Sequence, residues 1–131
     1  MTIREPIIPA GQEFSYNRLH FAPAFRVGST VYVSGVIGRG ADGVPDDPAA
    51  EFALAFEIMA TTLEAAGAAM SDIVELTSFH VGMDTIGEFA AAKDAAIAEP
   101  YPAWTVIGCS SLIDPKARAE VKATAVITSE K

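Results

Sequence analysis

The chain is poor in cysteine and in basic side chains. It has 131 residues with one cysteine, two histidines and one tryptophan, and nine Lys and Arg residues stand against 17 Asp and Glu residues. A single cysteine excludes an internal disulfide bond, and Cys109, in an apolar segment, is expected to be a buried small hydrophobe. The formal net charge of −8 argues against nucleic acid as a partner, because Lys and Arg contacts to phosphates supply most of that affinity.

The sequence also lacks the usual signals for membranes, metals and cofactors. It contains no run of about 18 apolar residues and no charged-then-apolar leader, so we expect a soluble, cytoplasmic protein without a membrane partner. His20 and His80 are far apart and have no H-x-x-x-H or cysteine partner, so we expect no metal site. The glycines between residues 35 and 43 form neither G-x-G-x-x-G nor a phosphate loop, and we expect no cofactor.

The length fits one domain, residues 1–131, and half of the residues are hydrophobic. Segments rich in β-branched and aromatic residues, bounded by glycine, proline or aspartate, predict strands. The predicted strands are residues 25–27, 30–34, 73–81, 103–109 and 119–128, with residues 1–11 as an edge strand or arm.

Two helices are predicted between these strands. The first spans residues 48–67 with Asp47 as its N-cap, and the second spans residues 86–98 after a capping box of Thr85 and Glu88. One face of the first helix carries the apolar residues Phe52, Phe56, Met59 and Leu63. The order of elements predicts an α+β fold, a mixed β-sheet with two helices packed on one face. Because two helices cannot cover both sides of a sheet, we expect the other face to be apolar and to bind further copies.

Several short strings stand along the chain in a specific order and spacing. They are Phe25-Arg26-Val27-Gly28, Val31-Tyr32-Val33-Ser34-Gly35, Leu63-Glu64-Ala65-Ala66-Gly67, Ser71-Asp72-Ile73-Val74-Glu75, Pro102-Ala103, and Glu120 before the last strand. Together they resemble the Rid family (reactive intermediate deaminases, also called the YjgF family) over almost the whole chain. The resemblance implies a chorismate-mutase-like fold and a homotrimer, with the sheets facing inward and a ligand cleft between each pair of subunits.

The resemblance also implies which residues form the site. The family glutamate at the start of the last strand is retained as Glu120, and the Ser-Gly pair as Ser34 and Gly35. Two positions differ, because Trp104 stands where the deaminases have an arginine that grips the substrate carboxylate, and Phe21 stands where they have a tyrosine.

Four further residues are predicted to line the cleft. A family asparagine falls near Lys93, which could form a Schiff base or lay its stem over apolar surface. His80 is either a proton carrier near neutral pH or a strand histidine with satisfied hydrogen bonds. Tyr101 and Val106 flank the Trp104 segment and are expected to contact the ligand.

The changed residues alter the expected chemistry. Imine hydrolysis needs a carboxylate clamp, a positioned water and a proton carrier. An arginine fork grips a carboxylate with two charge-assisted hydrogen bonds, which the single indole N–H of Trp104 cannot replace. We therefore expect a more apolar pocket and either a ligand less anionic than an amino-acid-derived imine or an anion held by another group such as Arg26 or His20. Glu120 is the candidate general acid and base, unless it forms an ion pair with Arg118, Lys122 or a neighbouring subunit.

Three hypotheses follow for the function. The first is a Rid-like trimer that binds a small organic ligand and hydrolyses an enamine, an imine or a related metabolite, with Glu120 as acid and base. The second is a non-catalytic ligand-binding or chaperone-like trimer, which the changed residues favour. The third is an RNA-cleaving translation inhibitor, a role attached to parts of the family, which the acidic charge disfavours.

Overall fold

One six-stranded sheet organises the protein in the computed structural model, which describes residues 2–128. Its strands lie in the order β1-β2-β3-β6-β4-β5. All neighbouring strands are antiparallel except β4 and β5, which are parallel. The strands are β1 (Arg4–Ile7), β2 (Ala24–Val27), β3 (Thr30–Ile37), β4 (Ile73–Val81), β5 (Ala103–Cys109) and β6 (Ala119–Val126). The predicted α+β fold and mixed sheet are therefore confirmed.

Within residues 2–128, three α-helices accompany the sheet, one more than predicted. The longer two are α2 (Pro48–Ala65) and α3 (Ile86–Ala96), and a five-residue helix, α1 (Glu13–Asn17), precedes β2. The short α1 has no buried residue, so hydrophobic periodicity could not reveal it. None of the described helices is both long and apolar enough to span a bilayer.

Helix α2 forms as its sequence predicts. The Asp47 side chain accepts a hydrogen bond from the backbone N–H of Ala49 at 3.3 Å, and Pro48 occupies the first turn. Gly67, just beyond the helix, has a φ of +85°, a left-handed conformation that glycine adopts without steric cost. All four residues of the predicted apolar face are buried: Phe52, Phe56, Met59 and Leu63.

Helix α3 begins at Ile86 as predicted but differs from its prediction in its cap and in its C-terminal end. The Thr85 side chain makes no capping hydrogen bond, so the predicted capping box is wrong. Thr85 has φ −108° and ψ 14°, whereas an N-cap side chain reaches the first turn from an extended backbone. The helix ends at Ala96, two residues before the predicted end, because Ile97 is already extended.

The two faces of the sheet differ in burial. Since side chains alternate along a strand, every second residue of β6 meets the helices, and Val121, Ala123 and Ala125 are buried. The opposite face, called the open face here, is less apolar than predicted. It exposes Tyr32 and Ile107 but also carries polar side chains, namely Glu75, Thr77, Lys122 and Thr124. Cys109 on β5 is half-buried rather than fully buried.

Replacing Leu63 by Ala should destabilise the protein by about 2–5 kcal/mol, because the substitution leaves a cavity in a packed core. The same substitution at Leu19, which is 58% exposed, should cost less than about 0.5 kcal/mol. Urea unfolding of both variants at one protein concentration checks this, and equal midpoints for the two would contradict the packing described.

Candidate functional site

The central feature of the open face is a close approach between Gly35 and Glu120. Glu120 lies on β6 opposite Ile37 of β3 and Phe79 of β4. The Glu120 side chain occupies the space above the Gly35 Cα, so a Cβ atom at position 35 would overlap the carboxylate oxygen Oε2. Any larger residue at this position would force the Glu120 carboxylate to move, and the contact joins two residues that are 85 positions apart in the chain.

A bulge in β3 produces this approach. The register between β3 and β6 shifts between Val33 and Val36, both of which are buried. In a regular strand, residues three apart lie on opposite faces, so the shift at Ser34 and Gly35 lets both valines face the helices. Bulges re-aim side chains in this way and are frequent beside active sites.

The carboxylate of Glu120 borders a cleft of ≈ 610 Å³. Phe21 lies in its wall and is 43% exposed, while the Ser34 hydroxyl donates a hydrogen bond to the Ala22 carbonyl at 2.7 Å and so holds the segment after Phe21 against β3. The cleft is lined by Ser15, Phe21, Ser34, Gly35, Ile37, Arg39, Ile113, Asp114 and Glu120. The structure therefore brings four predicted site residues together.

Glu120 forms no ion pair within residues 2–128. The predicted alternative, a pair with Arg118 or Lys122 of the same chain, is wrong. The guanidinium of Arg118 instead binds Glu51 of α2, with 2.6 Å between Nη1 and Oε1. Glu120 is thus left facing the cleft.

The Arg118–Glu51 pair anchors the beginning of β6. The backbone N–H of Arg118 also donates to Glu51 Oε2 at 2.8 Å, and the guanidinium donates to the carbonyls of Pro45 and Asp46. Glu51 is fully buried, and a buried charge requires such partners. Sequence reasoning missed Glu51, because its partner Arg118 lies 67 positions away in the chain and leaves no local pattern.

Trp104 belongs to a second group, on the helix side of the sheet. Its indole Nε1–H donates to Ser78 Oγ on β4 at 2.9 Å. Its ring lies against Phe89 of α3, with centroids 5.9 Å apart and an interplanar angle of 28°. The indole N–H is therefore already used within the chain.

His80 lies beneath this group and is fully buried. Its Nε2 and Ser78 Oγ are 2.8 Å apart and share a hydrogen bond, while Nδ1 has no partner among the described residues. The prediction of a histidine with satisfied hydrogen bonds is thus only half correct. Burial lowers the pKa of His80 below its ordinary value, because a charged imidazolium loses its hydration there. The other histidine, His20, is exposed.

Lys93 of α3 completes the second group. It is buried, and its Nζ lies 5.1 Å from the Trp104 ring centroid and 5.7 Å from that of Tyr101. Its hydrogen-bond partner is Asp94 Oδ1, at 2.8 Å. Val106, which pairs with Ser78 along the sheet, is 38% exposed.

The two groups lie apart within one chain. Strand β4 separates β6 from β5. Trp104 pairs with Leu76 and Glu120 pairs with Phe79, and these two β4 residues point to opposite faces because their spacing is odd. No single chain therefore presents Trp104 and Glu120 to one small ligand.

The α+β sheet and the Gly35–Glu120 cleft define the class of the protein, an open-sheet domain in which the Ser34, Gly35 and Glu120 expected from the Rid resemblance lie together. Residues 15–127 match the family model described as Endoribonuclease L-PSP. The chain is 35% identical over 115 residues to the RutC family protein YjgH of Escherichia coli, covering 86% of this chain and 88% of the relative. The chain belongs to the Rid (YjgF/RutC) family.

Other relatives agree with this assignment. A 2-iminobutanoate/2-iminopropanoate deaminase of Dermatophagoides farinae is 35% identical over 114 residues, which cover 82% of this chain and 85% of the relative. The solved structure of Protein YJGH superposes with a TM-score of 0.84 at 33% identity, covering 97% of this chain and 98% of that one. The predicted fold and family resemblance are therefore confirmed.

Acidification should weaken the fold through His80. Because the pKa of the buried imidazole is lowered from 6.5, the unfolded chain takes up more protons than the folded one as the pH falls below that value. The contribution of the neutral ring to the free energy of unfolding is fully present above pH 6.5. It falls as the pH drops below 6.5, by at most about 1.4 kcal/mol per pH unit. Urea unfolding between pH 7.5 and 5.5 measures this loss, since most carboxylates titrate lower.

A matched pair of variants isolates the contribution of His80. His80→Gln should flatten this part of the pH profile, whereas His20→Gln, at an exposed position, should keep it. An unchanged profile in the His80→Gln protein would contradict the assignment of the pH dependence to the buried ring.

Proposed function

We propose that this protein is a Rid-like trimer that binds a small organic molecule in clefts between subunits and hydrolyses an enamine or imine there. The supporting observation is the carboxylate of Glu120, which lies over Gly35 at an open cleft and has no ion-pair partner among residues 2–128. A carboxylate in this setting is suited to transfer protons. The deaminase name of one relative supports the same class of reaction.

The proposed reaction uses one water for each imine. An enamine first gains a proton on carbon and loses one from nitrogen to become the imine. Glu120 then removes a proton from the water while the water oxygen bonds to the imine carbon, and the carboxyl group returns this proton to the nitrogen to give a carbinolamine. The carboxylate next takes the proton of the new hydroxyl group and passes it to the nitrogen as the C–N bond breaks, so a carbonyl compound and ammonia leave. One residue serves as base and then as acid, so no further titrating group is required.

The trimer is proposed because the two groups of candidate residues face different ways. Phe21, Ser34 and Gly35 border the Glu120 cleft, whereas Trp104 lies at the β5 edge of the sheet. A second subunit that brings its β5 edge to the cleft would join them. That edge has no strand neighbour among the described residues and exposes apolar side chains, those of Val106 and Ile107, a surface that proteins generally cover. The partner would then contribute His80, Lys93, Tyr101, Trp104 and Val106.

A non-catalytic ligand-binding or chaperone-like trimer is the alternative. It is favoured by the indole of Trp104, whose only N–H is donated to Ser78, so the ring offers the ligand a flat apolar face and no ionic clamp. Arg26 is not among the residues that line the Glu120 cleft, and its guanidinium donates instead to the carbonyls of Gly28 and Ala66. An RNA-cleaving role is disfavoured by the net charge of −8, and it would require affinity for RNA that falls steeply with salt.

Glu120→Gln should lower imine hydrolysis by a factor of about 10²–10⁴, the usual contribution of a general acid or base. The measurement is the rate of ammonia release when the protein is added to freshly generated products of an amino-acid oxidase. Glu75→Gln is the matched control, because Glu75 is an exposed carboxylate on the same open face and should leave the rate unchanged. If the wild-type protein releases ammonia no faster than buffer, hydrolysis is excluded and the binding alternative stands.

Sedimentation velocity should show a species with three times the mass of the chain at both low and high protein concentration. The need for a neighbouring subunit follows from the separation of Trp104 and Glu120 on opposite sides of one sheet, and the number of three follows from the family resemblance. A monomer that persists at high concentration would remove the shared cleft and with it the proposed site.

A further inference from the structure

We infer that Lys93 takes the place of the deaminase arginine and binds the carboxylate of the ligand. The inference rests on the proposed function for the place of Lys93 in a shared cleft. It arises from the second group of residues, where a buried ammonium ion lies between two aromatic rings and has only one hydrogen-bonding partner.

The burial of Lys93 is unusual for this residue type. The residue is 9% exposed, whereas lysine is almost never fully buried unless it is paired. Its partner is the adjacent residue on α3, Asp94, whose own side chain is 65% exposed. A carboxylate so open to solvent gives a weak pair, because water competes for it. Another anion could therefore replace Asp94 as the partner of Lys93.

The ammonium group has donors left over. A lysine carries three N–H donors, and within residues 2–128 the only acceptor at hydrogen-bond distance of Nζ is Asp94 Oδ1. The rings of Trp104 and Tyr101 attract the cation and orient it, but they do not neutralise it. Two donors are thus available to an incoming anion, beside the indole face where the ligand is proposed to lie.

Three arginines near the candidate residues already have partners within the chain. Arg39, which lines the Glu120 cleft, is paired with Asp114, with 3.4 Å between Nε and Oδ2. The Arg118 guanidinium binds the Glu51 carboxylate and two backbone carbonyls, and the Arg26 guanidinium donates to two backbone carbonyls. The Trp104 N–H is donated to Ser78. The positive charge for a carboxylate is therefore found on helix α3 and not on strand β5, and the ligand carboxylate would displace Asp94 from the ammonium group.

The single tryptophan makes this testable by direct binding. A ligand on the Lys93 ammonium would lie beside the Trp104 ring and change its fluorescence. The probes are 2-oxobutanoate and its uncharged methyl ester, titrated into the full-length wild-type protein. We expect saturable quenching by the acid and at least about tenfold weaker binding of the ester, the factor expected for loss of a charge-assisted contact.

Two substitutions should act in opposite directions. Lys93→Met keeps the apolar stem but removes the charge, and should weaken binding of the acid by at least about tenfold. Asp94→Asn removes the competing carboxylate and should tighten it. Lys93→Arg should retain binding, and Lys116→Met, at a lysine whose side chain is 66% exposed, is the control that should leave the affinity unchanged. Far-UV circular dichroism verifies that each variant is folded.

Three outcomes overturn the inference: no saturable binding by wild type, undiminished binding by the Lys93→Met protein, or no tightening in Asp94→Asn. If Lys93→Met does not fold, two other results still test the inference. They are the tighter binding of the acid by the Asp94→Asn protein and the weaker binding of the ester by wild type. Glu120→Gln separates this inference from the proposed function, because it should stop ammonia release without weakening the binding of 2-oxobutanoate. A further result would be Lys93-dependent binding of 2-oxobutanoate by a wild-type protein that releases no ammonia. That result would support the anion site and reject only the proposed hydrolysis.

Discussion

The contact of the Glu120 side chain with the bare Cα of Gly35 is the constraint on which the arrangement of the cleft depends. It requires a residue without a Cβ on β3, a bulge that turns this residue toward the open face, and a fixed position for the start of β6. The ion pair between buried Glu51 and Arg118, whose side chain is 31% exposed, supplies the last requirement from the other side of the sheet. Removing Arg118 would leave Glu51 as an unpaired buried charge, which typically costs about 3–5 kcal/mol, so this anchor holds the start of β6 in place.

On the helix side of the sheet, the polar side chains bond to one another and the positive charge lies on a separate residue. Ser78 receives the Trp104 N–H and shares a hydrogen bond with His80, so three side chains on two parallel strands form one small network. The pKa of His80 is lowered by burial, which keeps the network free of positive charge near neutral pH. The positive charge beside the indole lies instead on Lys93 of α3. The arrangement leaves Trp104 as an apolar surface with a cation adjacent to it.

Hydrophobic pattern and capping chemistry were enough to predict the strands and the long helix α2, because its apolar face and the Asp47 cap are local features of the chain. The Thr85 capping box failed because its motif needs a backbone geometry that α3 does not have. Helix α1 escaped prediction because it buries nothing. The family resemblance pointed correctly to the proximity of Phe21, Ser34, Gly35 and Glu120. It could not identify Glu51, since a partner 67 residues away leaves no local pattern.

The amino-acid sequence by itself determined the strands, the two longer helices, their order and the family. Apolar residues recur with a period of two in the strands and of about 3.6 in the helices, and the ordered short strings carry the family resemblance. Only the tertiary structure decided on which side of the sheet each candidate lies and which partner it has. The physical reason is the shift at Ser34 and Gly35: one extra residue reverses the faces of everything that follows it in β3. Trp104 and Glu120 likewise lie on opposite sides because of strand order and register, which are set by contacts between segments far apart in sequence.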